Sequence, residues 1–289
     1  MRFTKINGAG NDFIILNNLE EHLDHSLFPV IARTLCHRHL SIGADGLMVT
    51  DTPQQGGDYR MLFYNSDGSA AEMCGNGARC ICRYGYENGL AGDTQTVESP
   101  SGIVTGTRID QRNYRIRLTD PSVIDLRRPA EALDRTWDCS YIELGNPGLP
   151  HAVVSCPGLA HKTMDDLRGL GKALRWSQSF PKGANVNFYD VAAPDRLVEL
   201  TYERGVEDFT YACGTGTGST VLALTLLGKV SGEDVEVSVP GGKLRVTIDR
   251  DCSAVKAIWL TGPTNIVCEG EVRDEDLPLS CDCFRRNIQ

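Results

Sequence analysis

The chain has 289 residues, of which 41% are hydrophobic and 23% are charged, and its formal net charge is −9. This length predicts about two domains, and the acidic balance argues against a general nucleic-acid surface. No apolar run approaches the roughly 18 residues that a membrane span needs, and the N-terminus has no apolar signal core, so we expect a cytoplasmic protein that binds neither membranes nor nucleic acid.

The predicted elements are short strands and a few helices. In the first part of the chain strands are predicted over 2–7, 13–17, 47–50, 59–64, 97–98 and 114–118, and helices over 29–39 and 76–88. In the second part strands are predicted over 141–144, 152–154, 185–190 and 197–202, and a helix over 216–227. Gly89 and Gly228 follow the two long helices as C-terminal caps.

Two further segments, 96–109 and 235–248, have the pattern of a strand, a turn with proline and glycine, and a second strand. Such a pattern predicts a hairpin. Hairpins with one long helix in each half indicate an α+β fold, in which a mostly antiparallel sheet wraps around a central helix. We expect two pseudo-symmetric domains, 1–119 joined by 267–289, and 120–266, with the crossover at Asp120-Pro121.

The most informative feature of the sequence is a duplicated motif. Cys74 is followed by Gly-Asn-Gly and Cys213 by Gly-Thr-Gly, and each motif precedes a predicted helix. Pro100 follows the first cysteine by 26 residues and Pro240 follows the second by 27. One such motif is often only a tight connection, but two copies at matching spacings indicate one site built from two related halves.

The chemistry of this motif follows from helix starts. Glycines let the backbone approach a ligand closely, and the amides and dipole of a helix N-terminus bind a carboxylate. We also expect the helix start to lower the pKa of a thiol placed there. Two such units around one amino-acid α-carbon would supply a base on one face and an acid on the other, which inverts a stereocentre.

Eleven cysteines without a Cys-x-x-Cys pair argue against a disulfide framework. The closely spaced pairs Cys80/Cys82 and Cys281/Cys283 lack the usual spacing of zinc ligands.

The segments 7–13, 72–80, 203–205 and 212–216 together resemble diaminopimelate epimerases. The resemblance spans residues 1 to about 270. It implies two similar domains with the site between them, a small amino-acid substrate, no pyridoxal phosphate or other cofactor, no metal, and a homodimer.

The resemblance also implies roles for single residues. Cys74 and Cys213 match the thiolate and thiol pair, and four residues match the amides that hold the α-carboxylate: Gly75, Asn76, Gly214 and Thr215. The groups that hold the remaining polar ends of the substrate match Asn11, Asn65, Asn185 and Arg204. His151 and Glu203 match residues near the α-amino group and the cysteines, and Asn146, in the altered loop before His151, is a further candidate supporting residue.

Three segments depart from the family pattern. The loop 145–151 reads Gly-Asn-Pro-Gly-Leu-Pro-His, Gly46 stands where some members have glutamine, and 267–289 is an acidic tail with no assigned role. The altered loop leaves open a related racemase that acts on a single amino acid such as histidine, proline or glutamate. A thiol-based redox or binding protein is the alternative from another class.

Overall fold

The structure is a computed structural model and describes residues 1–71, 74–251, 254–273, 275 and 277. In chain order the first part contains β1 (Arg2–Gly8), β2 (Asn11–Asn17), α1 (Asn18–Glu21), α2 (Phe28–Leu35), β3 (Gly46–Asp51), β4 (Tyr59–Asn65), α3 (Gly75–Glu87), β5 (Thr94–Ser99), β6 (Gly102–Arg108) and β7 (Asn113–Arg117). Every helix among the described residues is too short or too polar to cross a lipid bilayer.

The second part contains β8 (Pro121–Ala132), β9 (Arg135–Leu144), β10 (Leu149–Ser155), α4 (Met164–Arg175), β11 (Asn185–Ala193), β12 (Arg196–Glu203), β13 (Asp208–Thr210), α5 (Gly214–Leu226), β14 (Val235–Val239), β15 (Gly242–Asp251), β16 (Ala254–Pro263) and β17 (Asn265–Glu271). Most of the tail over 267–289 lies outside the described residues.

The chain divides into two compact units. Unit 1 comprises Met1–Tyr114 and the segment that begins at Thr264, and unit 2 comprises Arg115–Pro263. The domain limits at residues 119 and 266 stay predictions.

The two units contain the same strand pattern. In unit 1, β1 to β6 are paired successively antiparallel, parallel, antiparallel, parallel and antiparallel. In unit 2, β9, β10, β11, β12, β14 and β15 repeat this order of pairings. A helical connection joins each parallel pair, as a parallel pair requires. Unit 2 therefore repeats unit 1 in topology as well as in its cysteine motif.

One helix in each unit is enclosed by the sheet. Helix α3 contacts β1, β2 and β6, which are strands near opposite ends of the sheet of unit 1. Helix α5 contacts β9, β10, β11, β15 and β16, and nearly all of its residues are buried. A helix that is buried all round lies in the interior of a fold. The predicted α+β class, with a sheet wrapped around a central helix, is confirmed.

The other large helix of each unit covers the outer face of the sheet. Helix α2 packs Phe28, Ile31 and Leu35 against β2 and β3, and α4 packs Leu167, Leu170 and Leu174 against β11 and β12. Each helix therefore shields the side of its sheet that faces away from the enclosed helix.

Two differences from the predicted elements have local causes. The helix predicted over 29–39 ends at Leu35, because backbone amides of Gly43 and Ala44 occupy the carbonyls of Leu35 and Cys36. Helix α4 was not predicted, although Thr163 and Asp166 form a capping box at its start. Its two interior glycines weaken the helical pattern of the sequence.

Candidate active site

The two motif cysteines occupy the same structural position. Cys74 is the N-cap of α3 (φ −113°, ψ 129°), and Cys213 is the N-cap of α5 (φ −116°, ψ 102°). Both helices have 13 residues. We call the start of α3 with its surroundings the first half-site, and the start of α5 with its surroundings the second half-site.

Each half-site presents a helix start suited to an anion. The first intrahelical bonds run from Ala78 N to Cys74 O at 2.8 Å and from Thr217 N to Cys213 O at 2.9 Å. The amides before them point out of the helix end. Neither first turn contains an acidic residue, so no side-chain carboxylate of these turns opposes an anion at the positive end of either helix dipole.

The glycine at the third helical position is closely packed in both half-sites. A Cβ on Gly77 would lie 2.2 Å from Met48 Cε. A Cβ on Gly216 would lie 2.2 Å from Asn187 Oδ1 and 3.2 Å from Cys213 Sγ. Met48 Cε is the end of a flexible side chain, whereas Asn187 Oδ1 belongs to a short, buried side-chain amide.

In the first half-site two asparagine side chains form a hydrogen-bonded chain with the buried guanidinium of Arg79. Asn76 Nδ2 donates to Asn11 Oδ1 at 2.6 Å, and Arg79 Nη2 donates to Asn76 Oδ1 at 2.8 Å. Asn11 Nδ2 donates in turn to Asp45 Oδ2 at 3.0 Å. Arg79 is fully buried, and no carboxylate of the described residues lies within 4 Å of its guanidinium. The structure thus brings Asn11 and Asn76 together and orients both amides.

Asn65 is placed differently from the other site candidates. It ends β4 in an exposed turn, where its Nδ2 donates to Ser69 Oγ at 2.9 Å and its backbone exchanges hydrogen bonds with Gly68 and Ser69. These contacts account for an asparagine at a turn. Its role in binding a substrate stays a prediction. The preceding motif residues Glu72 and Met73 lie outside the described residues.

The second half-site holds Cys213 as a thiol. Burial raises the pKa of Cys213 well above its usual value, and the nearby carboxyls of Glu203 and Glu199 raise it further. The Thr215 hydroxyl and the Gly216 amide lower it, but they do not outweigh burial. The expectation that the helix start lowers the pKa of this thiol is therefore wrong for Cys213, because the loss of solvation dominates.

Burial also raises the pKa of Glu203, which ends β12 close to Cys213.

Asn185 and Arg204 are linked through the backbone. Asn185 is buried, its Nδ2 donates to Pro150 O at 3.3 Å, and its Oδ1 accepts from Arg204 N at 2.8 Å. The Arg204 guanidinium donates to Lys182 O at 3.1 Å. It has no carboxylate partner in the part of the chain that the structure describes. Arg204 is therefore available to a carboxylate of a ligand.

His151 lies deep in the second half-site. It is fully buried opposite Asn185 in the parallel pair of β10 and β11, and Nδ1 lies 3.4 Å from Asn187 Nδ2. Nε2 is buried without a hydrogen-bond partner among the described residues. Burial, and to a smaller degree the charge of Arg204, lowers the pKa of His151 to about 3. The imidazole is therefore neutral at physiological pH.

The two altered positions have simple structural settings. Asn146 is exposed in the turn between β9 and β10, in an Asn146-Pro147 cis peptide, and none of its side-chain atoms has a hydrogen bond among those described. Gly46 begins β3, where a Cβ would lie 2.7 Å from Phe63. The Cβ would also lie 2.8 Å from the backbone carbonyl oxygen of Tyr64, so a glutamine would not fit at residue 46 without a shift of both the ring and the backbone.

Sequence reasoning missed a buried polar layer beneath α5. Its members on β11 and β12 are Asn187, Glu199 and Thr201, and those on α5 are Thr217 and Thr220. Thr201 Oγ1 donates to Asn187 Oδ1 at 3.0 Å. A signal was present, because polar residues alternate along two strands that are otherwise buried. No cluster of three metal-binding side chains is found among the described residues.

Comparison with known proteins agrees with this geometry. The family model of diaminopimelate epimerase matches residues 3–123 and 144–267. A diaminopimelate epimerase from Aquifex aeolicus is 36% identical, covering 96% of this chain and 99% of its own length. One from Methanothrix thermoacetophila is 35% identical, covering 96% and 98%.

Solved structures share the fold at low identity. A probable proline racemase from Agrobacterium radiobacter has a TM-score of 0.68 at 14% identity, covering 94% of this chain and 92% of its own. A hydroxyproline epimerase from Agrobacterium vitis has a TM-score of 0.66 at 16% identity, covering 96% and 94%. The chain is thus a two-unit α+β protein of the fold that these structures share. By its family model and its relatives it belongs to a family of isomerases, the diaminopimelate epimerases.

Proposed function

We propose that this protein is an isomerase that interconverts LL- and meso-2,6-diaminopimelate at one α-carbon, a step of lysine and peptidoglycan precursor biosynthesis. The observation that carries the proposal is the equivalent placement of Cys74 and Cys213 at the N-caps of two enclosed helices. The family assignment supports the same substrate.

The proposed reaction is a transfer of protons between two sulfurs and one carbon. One cysteine, as thiolate, takes the α-hydrogen, and the electron pair of the broken C–H bond stays on the carbon and its carboxylate. The other cysteine, as thiol, gives its proton to the opposite face, so that the pair finishes with exchanged protonation states. Burial keeps Cys213 protonated, which makes it the acid in the resting enzyme.

The helix starts supply the electrostatic part of the mechanism. We propose that the amides of Gly75, Asn76, Gly214 and Thr215 hold the α-carboxylate, on which negative charge increases as the proton leaves. Dipoles that are already oriented stabilise that charge without reorganising, which contributes several kcal/mol in a site that excludes water. We propose that the neutral His151 and the half-buried Glu203 form hydrogen bonds near the α-amino group.

The far end of the substrate is proposed to select it. Arg204 offers a planar guanidinium for a bidentate grip on a carboxylate, and it has no carboxylate partner among the described residues. Asn11, Asn65 and Asn185 are proposed to hold the remaining polar groups. A substrate with two amino-acid ends would then be bound by one end and react at the other.

Further properties are proposed from the family assignment. We infer that the enzyme works without pyridoxal phosphate or a metal, as a cytoplasmic homodimer. The eight described cysteines form no disulfide, which is consistent with a reducing compartment.

The deciding experiment is α-hydrogen exchange in heavy water, followed by NMR. Purified protein is incubated separately with LL-diaminopimelate, meso-diaminopimelate, histidine, proline and glutamate. We expect exchange and interconversion with the two diaminopimelates and almost none with the single-headed amino acids. Faster exchange with one of these would favour a single amino-acid racemase, and no exchange with any of them would favour a thiol redox or binding protein.

A further inference from the structure

Glu199 is a buried acid that the mechanism above does not use. It lies in β12 on the face beneath α5 and is fully buried. Thr217 Oγ1 and Thr220 Oγ1 donate hydrogen bonds of 2.5 Å to Oε2 and Oε1 of this carboxyl, one to each oxygen. Both threonines are themselves fully buried on α5. The carboxyl therefore fastens the first turns of the helix that begins at Cys213 to the sheet.

The groups around Glu199 provide no counter-charge. On β12 the same face carries Glu203. On the neighbouring β11, Tyr189 lies opposite Glu199, and its hydroxyl accepts a hydrogen bond from Lys229 Nζ at 3.0 Å. From β10 the face carries the neutral His151, and from α5 it carries Cys213. No Lys, Arg or His of the described residues lies within 4 Å of the Glu199 carboxyl.

This setting makes Glu199 titrate near neutrality. Burial raises the pKa of Glu199 to about 7, and the two threonine hydroxyls oppose the rise only in part. Once ionised, the carboxylate disfavours a second negative charge nearby, and it raises the pKa of Cys213 in this way.

We propose that Glu199, held by Thr217 and Thr220 one turn inside the helix that begins at Cys213, is a positioning residue that adds to the effect of burial and strengthens the hold of Cys213 on its proton, so that Cys213 is the resting acid of the pair. This inference rests on the proposed function, because Cys213 acts as an acid only in the proposed proton transfer. The physical claim itself, that the charge of Glu199 makes Cys213 harder to deprotonate, can be tested without substrate.

The test is the rate of alkylation of Cys213 by iodoacetamide between pH 6 and 10, measured by peptide mass spectrometry without substrate. In Glu199→Gln the neutral amide keeps the shape of the side chain and removes its charge. The thiolate is the form that reacts, so a thiol whose pKa falls reacts faster at every pH below that pKa. We therefore expect Glu199→Gln to alkylate Cys213 at least about threefold faster at pH 8 than the wild type.

Glu236→Gln is the matched control. Glu236 lies on the neighbouring β14 and pairs at the surface with Lys243 and Arg245. Its substitution should leave the alkylation profile of Cys213 unchanged. An equal acceleration in both variants would mean that the overall charge, and not Glu199, sets the rate.

A second variant keeps the test decisive if Glu199→Gln does not fold. Thr220→Val keeps the side-chain shape and removes one donor to the carboxylate. Glu199 should then ionise at higher pH, and Cys213 should react at a rate between those of the wild type and Glu199→Gln near pH 8. Profiles identical to the wild type in every folded variant would overturn the proposal.

The two proposals can fail separately. A protein that exchanges the α-hydrogen of diaminopimelate but shows no shift in Cys213 alkylation would retain the proposed function and lose this inference. A protein with the expected shift in Cys213 alkylation but no α-hydrogen exchange on any substrate would retain this inference and lose the proposed function.

Discussion

Arg79 Nη2 donates a hydrogen bond of 2.8 Å to Oδ1 of Asn76, one turn earlier in α3. The guanidinium also reaches Gly75 O at 3.3 Å, and it is fully buried. Burial lowers the pKa of Arg79. Burying a charged group is costly unless it forms hydrogen bonds. The two hydrogen bonds of Arg79 orient the first turn of α3, directly after Cys74.

Arg79→Met should therefore impair both folding and catalysis. We expect a loss of about 1–3 kcal/mol in the free energy of unfolding, since bonds to a buried charged group are removed, and a lower kcat for diaminopimelate. Arg83→Met is the control, because Arg83 is also buried on α3 but bonds Thr264 O. It should lose stability and keep kcat. Denaturant unfolding and exchange kinetics measure the two effects, and equal kcat losses would contradict the role of Arg79.

Each motif cysteine should be essential in both directions of the reaction. Cys74→Ser and Cys213→Ser should each slow epimerisation of LL- and meso-diaminopimelate at least about 100-fold, because each sulfur is base in one direction and acid in the other. Cys268→Ser, at an exposed position of β17, should behave as the wild type. Epimerisation by either motif variant at close to the wild-type rate would exclude the two-thiol mechanism.

The two equivalent glycines should differ in their tolerance of a methyl group. In Gly216→Ala the new Cβ meets Asn187, which is held by Thr201, so we expect a loss of about 2–3 kcal/mol in stability. In Gly77→Ala the Met48 side chain can move aside, so a smaller loss of about 1 kcal/mol is expected. Thermal unfolding of both variants gives the comparison, and a larger loss in Gly77→Ala would contradict it.

Arg204 should determine the preference for a two-headed substrate. Arg204→Lys keeps the charge and loses the bidentate fork, and we expect KM for diaminopimelate to rise strongly. Removing one partner of a desolvated carboxylate costs roughly 2–5 kcal/mol, so Arg204→Ala should be worse. Arg245→Ala, at a surface cation, is the control. An unchanged KM in Arg204→Ala would remove this residue from the binding site.

His151 should make the protein less stable in acid. Its pKa is about 3 in the folded protein and 6.5 when unfolded, so below pH 6.5 the unfolded chain binds the additional proton. Stability from this residue is present above pH 6.5 and is lost progressively as the pH falls towards 3. In His151→Gln the free energy of unfolding should depend less on pH over this interval, by a few kcal/mol in total. Denaturant titrations at several pH values test this.

Much of the fold was accessible from the sequence because the motif occurs twice. Cys74 and Cys213 with their glycines located both enclosed helices within two residues, and the two hairpins over 96–109 and 235–248 were found from their turns. Long-range topology was not accessible. The parallel pairings join strands that are distant in sequence, and no local pattern encodes them.

The placement of Cys74 and Cys213 at helix starts was predictable for the same reason. The environment of Cys213 was not, because it depends on burial. The helix-start argument predicts a lowered pKa for a solvated thiol, but Cys213 is 8% exposed and desolvation reverses the direction. Exposure of a cysteine N-cap depends on the strands packed around it. The polar layer with Glu199 was missed because single polar residues within a strand are also typical of an exposed face.

The pairing of β1 with β17 has a consequence for how the chain is made. Arg2 lies opposite Glu271, so the sheet of unit 1 is completed by residues that leave the ribosome after the whole of unit 2, which is one continuous stretch. Domains fold as units during synthesis. Unit 2 can therefore reach its final structure before β17 has been made and paired with β1. A chain truncated before residue 265 would leave the edge of β1 unpaired and able to pair with other molecules.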